Sequence, residues 1–369
     1  MTGRKFTYIL GVKVDRIDTK GLFSKVEEFV KAKSTHHIAY VNVDCINKSR
    51  GDPEYKDILE TSDLIYPDGM AVVWASKLTS RPLSERVTAA DFFQDFCSYC
   101  ADRKLSLYFL GGEEGVAEKA VKTMKDMVPD VEIVGYHKGF FDVQEEEKVI
   151  KEINGKRPDI LLVGFGVPVQ EKWIRMHMES LNVPVLWGVG ALFDYFAGKV
   201  KRAPKWMRKR GLEWLFRLIM EPSRLWKRYL IGNLAFISRA FILVFTDMIL
   251  LSFSWLTAYW IRYYLSGIFG KELNPFSGYL TALPIIVFLW IITYTSFGLY
   301  RNRASKEASQ TGAILKAVIL GWLVTSATAF MLKEFDFGRA VVFFASVLNF
   351  ILLYISRKVS SLILKGTGD

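Results

Sequence analysis

The sequence predicts an α/β protein in which a mostly parallel sheet carries helices on both faces, followed by a basic amphipathic appendage and a four-helix transmembrane bundle. Three observations carry this. Up to about residue 230, short apolar runs alternate with helical patterns, the mark of strand–helix–strand units around a parallel sheet. Four apolar stretches then follow, over 241–261, 279–297, 312–332 and 340–355, each near the ~20 residues that a bilayer-spanning helix needs. Between them, 199–239 is crowded with Lys and Arg and holds only two acidic residues, Glu213 and Glu221.

The N-terminal MTGRKFTYILGVKVD has too short an apolar core for a signal peptide, so the first domain is expected in the cytosol. HHIAYVNVD reads as a strand closing on a polar turn. SDLIYPDGMAVVWASKL reads as a strand, a Pro67-Asp68-Gly69 turn and a helix. LSLYFLGGEEGVAEKAVKTMKDM is a strand, a Gly-Gly turn and an amphipathic helix, and VEIVGYHKGFF is a strand with a glycine-rich exit. DILLVGFGVPVQEKWIRMHMESL and VPVLWGVGALFDYFAG repeat the strand–turn–helix scheme, which makes the domain Rossmann-like. The expected boundaries are 1–198 for the α/β domain, 199–238 for the appendage and 239–369 for the spans.

The net charge of +11 does not point to nucleic acid. Its densest run lies immediately before the first span, where anionic lipid head groups or diphosphates are the expected partners. Loop charges set the orientation: Arg301, Arg303 and Lys306 on one side, with Arg357, Lys358 and Lys365 in the tail, outweigh Arg262, Lys271, Lys333 and Arg339. Both ends are therefore expected inside the cell. Asp247 falls within the first span, where a carboxylate turns into the bundle or toward water. Cys97 and Cys100 form C-x-x-C within a helical pattern without a second pair or a suitably spaced His, so no metal site is expected.

Three strands run into glycine, at Gly111-Gly112, Gly164-Phe165-Gly166 and Gly188-Val189-Gly190. Strand ends of this kind line the ligand crevice of open α/β sheets, and glycine lets backbone approach a phosphate. Neither a full G-x-G-x-x-G nor G-K-[ST] is present, which disfavours a dinucleotide or P-loop site. Asp68 can take a proton from a hydroxyl nucleophile, although Pro-Asp-Gly also encodes a plain turn. Arg86 suits bidentate contact with phosphate, or a simple pair with Asp91. Gln170 is a candidate for a sugar or base, with Glu171 beside it in a first helical turn, and Asn42 for ligand hydroxyls or a helix cap. Arg217, Arg224 and Arg228 recur at seven and four residues, one helical face if the helix tolerates Pro222. Trp206, Trp214 and Trp226 add a membrane-interface character.

Together YPDGMAVVW, SERVTAADFF, LYFLGGEEGVAEKA, KRPDILLVGFGVPVQEKWI, GVGALFDYFAGKVKRAPKWM and GLEWLFRLIMEPSRLWKR resemble, in order and spacing, the WecG/TagA/CpsF family of bacterial glycosyltransferases over residues 8–230. The resemblance implies inverting transfer of an N-acetylmannosamine-type sugar from a UDP donor to a polyprenyl-diphosphate-linked amino sugar, without cofactor or metal. It implies Asp68 as general base, Asn42, Arg86 and Gln170, with Glu171 beside it, at the substrate, and Arg217, Arg224 and Arg228 at the lipid diphosphate; the strand exits themselves add Gly111, Gly112, Gly164, Gly166 and Gly190 as candidate substrate contacts. Related enzymes self-associate, so a homo-oligomer is a further expectation. Tyr40, Val169 and Ala191 stand where the family commonly has Thr, Lys and Gly. The last spans resemble the N-terminal membrane domain of polyprenyl-phosphate sugar-1-phosphate transferases, without the catalytic domain that follows there. The expected location is the bacterial inner membrane, in polysaccharide synthesis for the cell envelope. The rival readings are a non-catalytic sugar-nucleotide-binding scaffold and a transporter.

Overall fold

A computed structural model describes residues 5–32, 34–77, 81–269, 273–300, 307–331 and 338–365. The chain divides into two compact units, the first ending at Ile237 and the second running from Ser238.

The first unit opens with an antiparallel hairpin, β1 (Phe6–Ile9) and β2 (Val12–Asp15). Leu10 and Gly11 form its two-residue loop, both at positive φ, 49° and 90°. That is the backbone of a type I′ turn, which matches the twist of the paired strands. The sequence reading did not foresee this hairpin, because Leu-Gly is an uncommon I′ pair. After α1 (Thr19–Ala32) come β3 (His36–Val41), α2 (Val43–Gly51), α3 (Pro53–Thr61), β4 (Leu64–Pro67), α4 (Met70–Ser76) and α5 (Ala89–Arg103). Then follow β5 (Leu107–Gly111), α6 (Val116–Met127), β6 (Ile133–His137), α7 (Val143–Lys156), β7 (Ile160–Gly164), α8 (Val169–His177), β8 (Val185–Gly188) and α9 (Leu192–Phe196).

Strands β3 to β8 form one all-parallel sheet in the order β4-β3-β8-β7-β5-β6. Alternate strand residues feed two cores. Leu107, Phe109, Ile160, Leu162, Val185 and Trp187 pack with residues of α1, α5 and α6. Tyr108, Leu110, Leu161, Val163 and Leu186 pack with Val149 and Ile153 of α7 and Ile174 of α8. Helices thus cover both faces, as expected from strands apolar on both sides. Cys97 and Cys100 are free and buried on α5, and burial pushes the Cys97 thiol up to about 12.

All six strand exits lie along one edge, because the strands are parallel. From β5 the chain passes through α6 outward to β6, whereas from neighbouring β7 it passes through α8 inward to β8. Connections that diverge onto opposite faces make β5/β7 the topological switch point, the usual ligand crevice.

The appendage is α10 (Lys205–Lys209), α11 (Glu213–Met220), α12 (Pro222–Trp226) and a π-helical turn, Lys227–Ile231. It leads into α13 (Gly232–Tyr264), whose first residues belong to the first unit. The single helical face expected for the three arginines is not formed. Glu221 leaves helical geometry at φ −136°, ψ 59°, because Pro222 clashes with a helical predecessor. Arg217, Arg224 and Arg228 therefore sit on three successive elements.

The second unit continues α13 and adds α14 (Ser266–Phe269), α15 (Phe276–Ser296), α16 (Glu307–Met331) and α17 (Arg339–Lys365). Four segments are long and apolar enough to cross a membrane: Val244–Tyr264, Phe276–Ser296, Thr311–Phe330 and Arg339–Val359. Their core is Trp- and Tyr-rich: Trp255, Tyr259, Tyr279, Trp290 and Tyr294 are buried. A Cβ on Gly321 would lie 2.8 Å from the Trp290 ring, so this glycine admits the indole, whose Nε1 donates to Thr325 Oγ1 at 2.7 Å. Asp247 does turn inward, but it is not a lone charge. Arg357, counted above as a tail residue, lies inside the last span and grips Asp247 through two bonds of 2.9 and 2.5 Å. Lys271, Arg301, Arg303, Lys306 and Lys333, used above for orientation, lie outside the described residues, as does Leu332.

Candidate functional site

Asp68 follows β4 and precedes α4, so the strand exit itself aims it toward the carboxyl edge of the sheet. Its amide donates to Val41 O at 2.8 Å, tying it to the end of neighbouring β3. Thr88 Oγ1 donates to Asp68 Oδ1 at 2.8 Å, and Asn42 Nδ2 reaches Oδ2 at 3.5 Å. The carboxyl is half-buried. Burial is the main influence on it and raises its pKa above the ordinary value. Thr88, Arg86 and Asn42 oppose that shift, and Glu213 adds to it. A carboxylate held by two neutral donors in a partly dry place is a competent proton acceptor.

Asn42 caps α2, its Oδ1 accepting from Asp44 N at 2.9 Å and Cys45 N at 3.2 Å. Capping consumes its oxygen, and its amide nitrogen is left to steady Asp68. Tyr40, on the same strand, is a residue whose placement the sequence did not reveal. A Cβ on Gly190 would stand 2.5 Å from its hydroxyl, so the phenol reaches the β8 exit. Burial raises its pKa well above the usual phenol value, with the charges of Cys45, Glu171 and Asp68 adding to that.

The glycine turns interlock. A Cβ on Gly111 would meet Gly164 O at 2.7 Å, and one on Gly164 would meet Gly190 O at 2.8 Å and the Phe193 ring. These glycines bring the β5, β7 and β8 exits together. Gly112 has φ 74° and would drive a Cβ into Val116, while Gly166, at φ 81°, has open space around it. The strand order puts Asp68 three and four strand positions from β7 and β5, roughly 14–19 Å at the usual spacing. Acid and switch point share one edge without touching.

Gln170 is fully buried, and both ends of its amide are used within the fold. Its Oε1 accepts from Gly166 N at 3.1 Å and Gly190 N at 2.9 Å, and its Nε2 donates to Glu171 Oε1 at 2.7 Å. It staples two exit turns together. Glu171 is equally buried, and its Oε2 has no hydrogen-bond partner among the described residues. Burial raises its pKa to about 7.

Arg86 does not present a free guanidinium. It donates to Asp91 and, at 3.1 Å, to Glu213 Oε2. Arg202 bridges the same two carboxylates at 2.6 and 3.0 Å, and Arg208 also pairs with Asp91. Burial works against ionisation of Asp91, yet the three arginines hold its pKa below the ordinary value. Sequence reading found the Arg86–Asp91 pair and missed Glu213 and Arg202, which lie more than 100 residues along the chain.

The three appendage arginines differ. Arg224 is exposed and pairs with Glu221. Arg228 is 3.5 Å from Asp44, with its buried Nε lacking a hydrogen-bond partner. Arg217 lies 5.7 Å over the Tyr195 ring, its buried Nε also has no acceptor, and it makes no ion pair among the described residues. Asp194, in the first turn of α9, was missed; both Arg217 and Arg224 bear on it electrostatically. Burial raises its pKa, Glu113 adds to that, and Lys199, Arg224 and Arg217 oppose it.

A model of the glycosyl transferase WecG/TagA/CpsF family matches residues 7–247, which takes in Asp68, the glycine exits and the whole appendage. The chain belongs to that family. A Bacillus subtilis N-acetylglucosaminyldiphosphoundecaprenol N-acetyl-beta-D-mannosaminyltransferase is 35% identical over 204 residues, covering 55% of this chain and 78% of that protein. A protein of the same name from Bacillus spizizenii is 30% identical over 219 residues, covering 55% of this chain and 84% of its own length. Another from Staphylococcus aureus is 31% identical over 228 residues, covering 61% and 87%. The WecG/TagA/CpsF match ends at Asp247, so α15 to α17 lie beyond it.

Proposed function

We propose that this glycosyltransferase moves an N-acetylmannosamine-type sugar from a UDP donor to a polyprenyl-diphosphate-linked amino sugar, with inversion, at the cytosolic face of a bacterial membrane. The observation that carries the reading is the pairing, in one unit, of a half-buried carboxylate held by Thr88 and Asn42 with a cation, Arg217, that makes no close ion pair among the described residues. The names of the Bacillus and Staphylococcus relatives supply the sugar and the acceptor class.

Asp68 takes the proton of the acceptor hydroxyl as that oxygen attacks the anomeric carbon. The new C–O bond forms as the bond to UDP breaks, and UDP leaves with the electron pair. One displacement inverts the centre. The donor binds along the glycine-rich strand exits, with its diphosphate at the β8 side of the row, whose Gly190 exit is nearer to Asp68 than those of β5 and β7. The acceptor's diphosphate is met by Arg217, with Arg228 and Arg224 around it; a guanidinium suits such oxygens because its planar fork of donors can contact two of them at once. Four apolar helices keep the enzyme on the membrane that holds its acceptor, and the α/β domain, the appendage and the spans act as three functional segments.

The test is incubation of the full chain with UDP-N-acetylmannosamine and a GlcNAc-diphosphate-lipid, with mass detection of product. A lipid heavier by one N-acetylhexosamine is expected. No transfer with any UDP-sugar, while UDP-sugar binding persists, would leave the non-catalytic scaffold as the better reading.

A further inference from the structure

We propose that Glu213 is a positioning residue: with Asp91 it forms a latch that grips Arg86 and Arg202 and fastens the start of the appendage to the segment that holds Asp68. This rests on the reading of Asp68 as the base. The latch is a closed ring. Arg86 and Arg202 each bridge the same two carboxylates, and Arg208 adds a third guanidinium on Asp91. One carboxylate stands in the first turn of α5, just after Thr88, and the other in the first turn of α11, one turn before Arg217. The two halves of the site are thus built from one set of ion pairs. Thr88, which donates to Asp68, stands at the N-terminus of α5, in the segment that Arg86 and Asp91 brace. Arg217 extends from the short helix that Glu213 opens. Both carboxylates are largely withdrawn from water, with Asp91 29% and Glu213 16% exposed at the side chain, so the ring is more than a solvated surface pair.

A ring of this kind couples seating of the appendage to placement of the base. Losing Glu213 frees one bond of Arg86 and one of Arg202 at once. The appendage then loosens, and Asp68 feels Arg86 without the opposing carboxylate. The groups facing Asp68 are Thr88, Asn42, Arg86, Glu213, Tyr40 and Tyr66. Of these charges, only Glu213 works to keep the acid protonated and only Arg86 works against it.

The experiment compares wild type with Glu213→Gln, Arg202→Met and the double variant, using full-length protein in detergent. Glu213→Gln is expected to lower kcat by about ten- to a hundredfold, from the loss of charge-assisted bonds, with little change in donor KM. Its acid limb should move to lower pH. Limited trypsin digestion should cut faster within 201–210 in all three variants. The double variant should be no worse than the weaker single, since both break one ring. An unmoved acid limb in Glu213→Gln, or a double variant that loses the product of the two single effects, overturns the latch. If Asp68→Asn turns over like wild type, the base assignment falls, while the digestion and the cycle still judge the latch.

Discussion

Arg357 in the four-helix unit and Arg217 in the appendage are both withdrawn from water, and they are treated in opposite ways. Arg357, 5% exposed, meets a fully buried Asp247 through a two-pronged contact that leaves only its Nε without a partner. Arg217 has an aromatic ring beneath it and no carboxylate within ion-pair distance among the described residues; Asp194 and Glu221 act on it only from farther off. In the bundle, charge is cancelled by the fold itself, so its role is architectural. A buried pair of this sort contributes little net stability but is costly to break. In the appendage, charge is left open at a place where an anion can arrive. An uncancelled guanidinium is poised for a ligand, and a cancelled one is part of the frame.

The sharpest way to break this comparison is at the acid that serves the open site. Asp68→Asn should lower kcat by ~10²–10⁴-fold with the fold intact, read by product formation and by unchanged thermal unfolding. Asp247→Asn should do the reverse: it should cost ~3–5 kcal/mol of stability, read by melting in detergent, because a buried guanidinium is stranded. Asp247→Leu combined with Arg357→Met should recover most of that loss. Arg217→Met should leave melting nearly unchanged and weaken use of the lipid acceptor by about ten- to a hundredfold in kcat/KM, the value of a bond to a charged group.

The smallest effect concerns Glu171, whose buried carboxyl has its pKa raised to about 7. A raised carboxyl binds its proton more tightly folded than unfolded, so its contribution to stability is present below the unfolded value and is lost as pH rises through about 7. Glu171→Gln removes that dependence. The variant should gain on wild type between pH 5 and pH 8, by at most about 3 kcal/mol, seen as a pH-dependent difference in melting temperature.

Much of the fold was legible because its signals are local. Apolar strands running into glycine give parallel strand exits, and long apolar runs give spans, whatever the tertiary context. The site was legible only where one residue type admits one local geometry. Asp68 at a Pro-Asp-Gly exit is such a case. The contacts of Gln170 were not legible for a physical reason: its amide accepts from two backbone amides, and only the approach of Gly166 and Gly190 in the fold brings these to it. Glu213 and Arg202 were invisible because nothing local links 202 and 213 to 86 and 91. Arg357 was misassigned because a helix end cannot be told from a helix interior by composition. The shared helical face of the three arginines, expected only if the helix tolerated Pro222, does not form, because Pro222 takes the preceding residue out of helical geometry.

The hairpin at the N-terminus has a consequence of a different kind. Strand β4, which delivers Asp68, lies at the margin of the parallel sheet. Its outward amide at Ile65 donates at 2.7 Å to the side chain of Asp15 on β2, not to another strand of the sheet. An uncovered margin is a template on which neighbouring molecules zip together. Shortened versions of this protein that begin after residue 15 would therefore bare the strand that carries the proposed base, and should precipitate on expression.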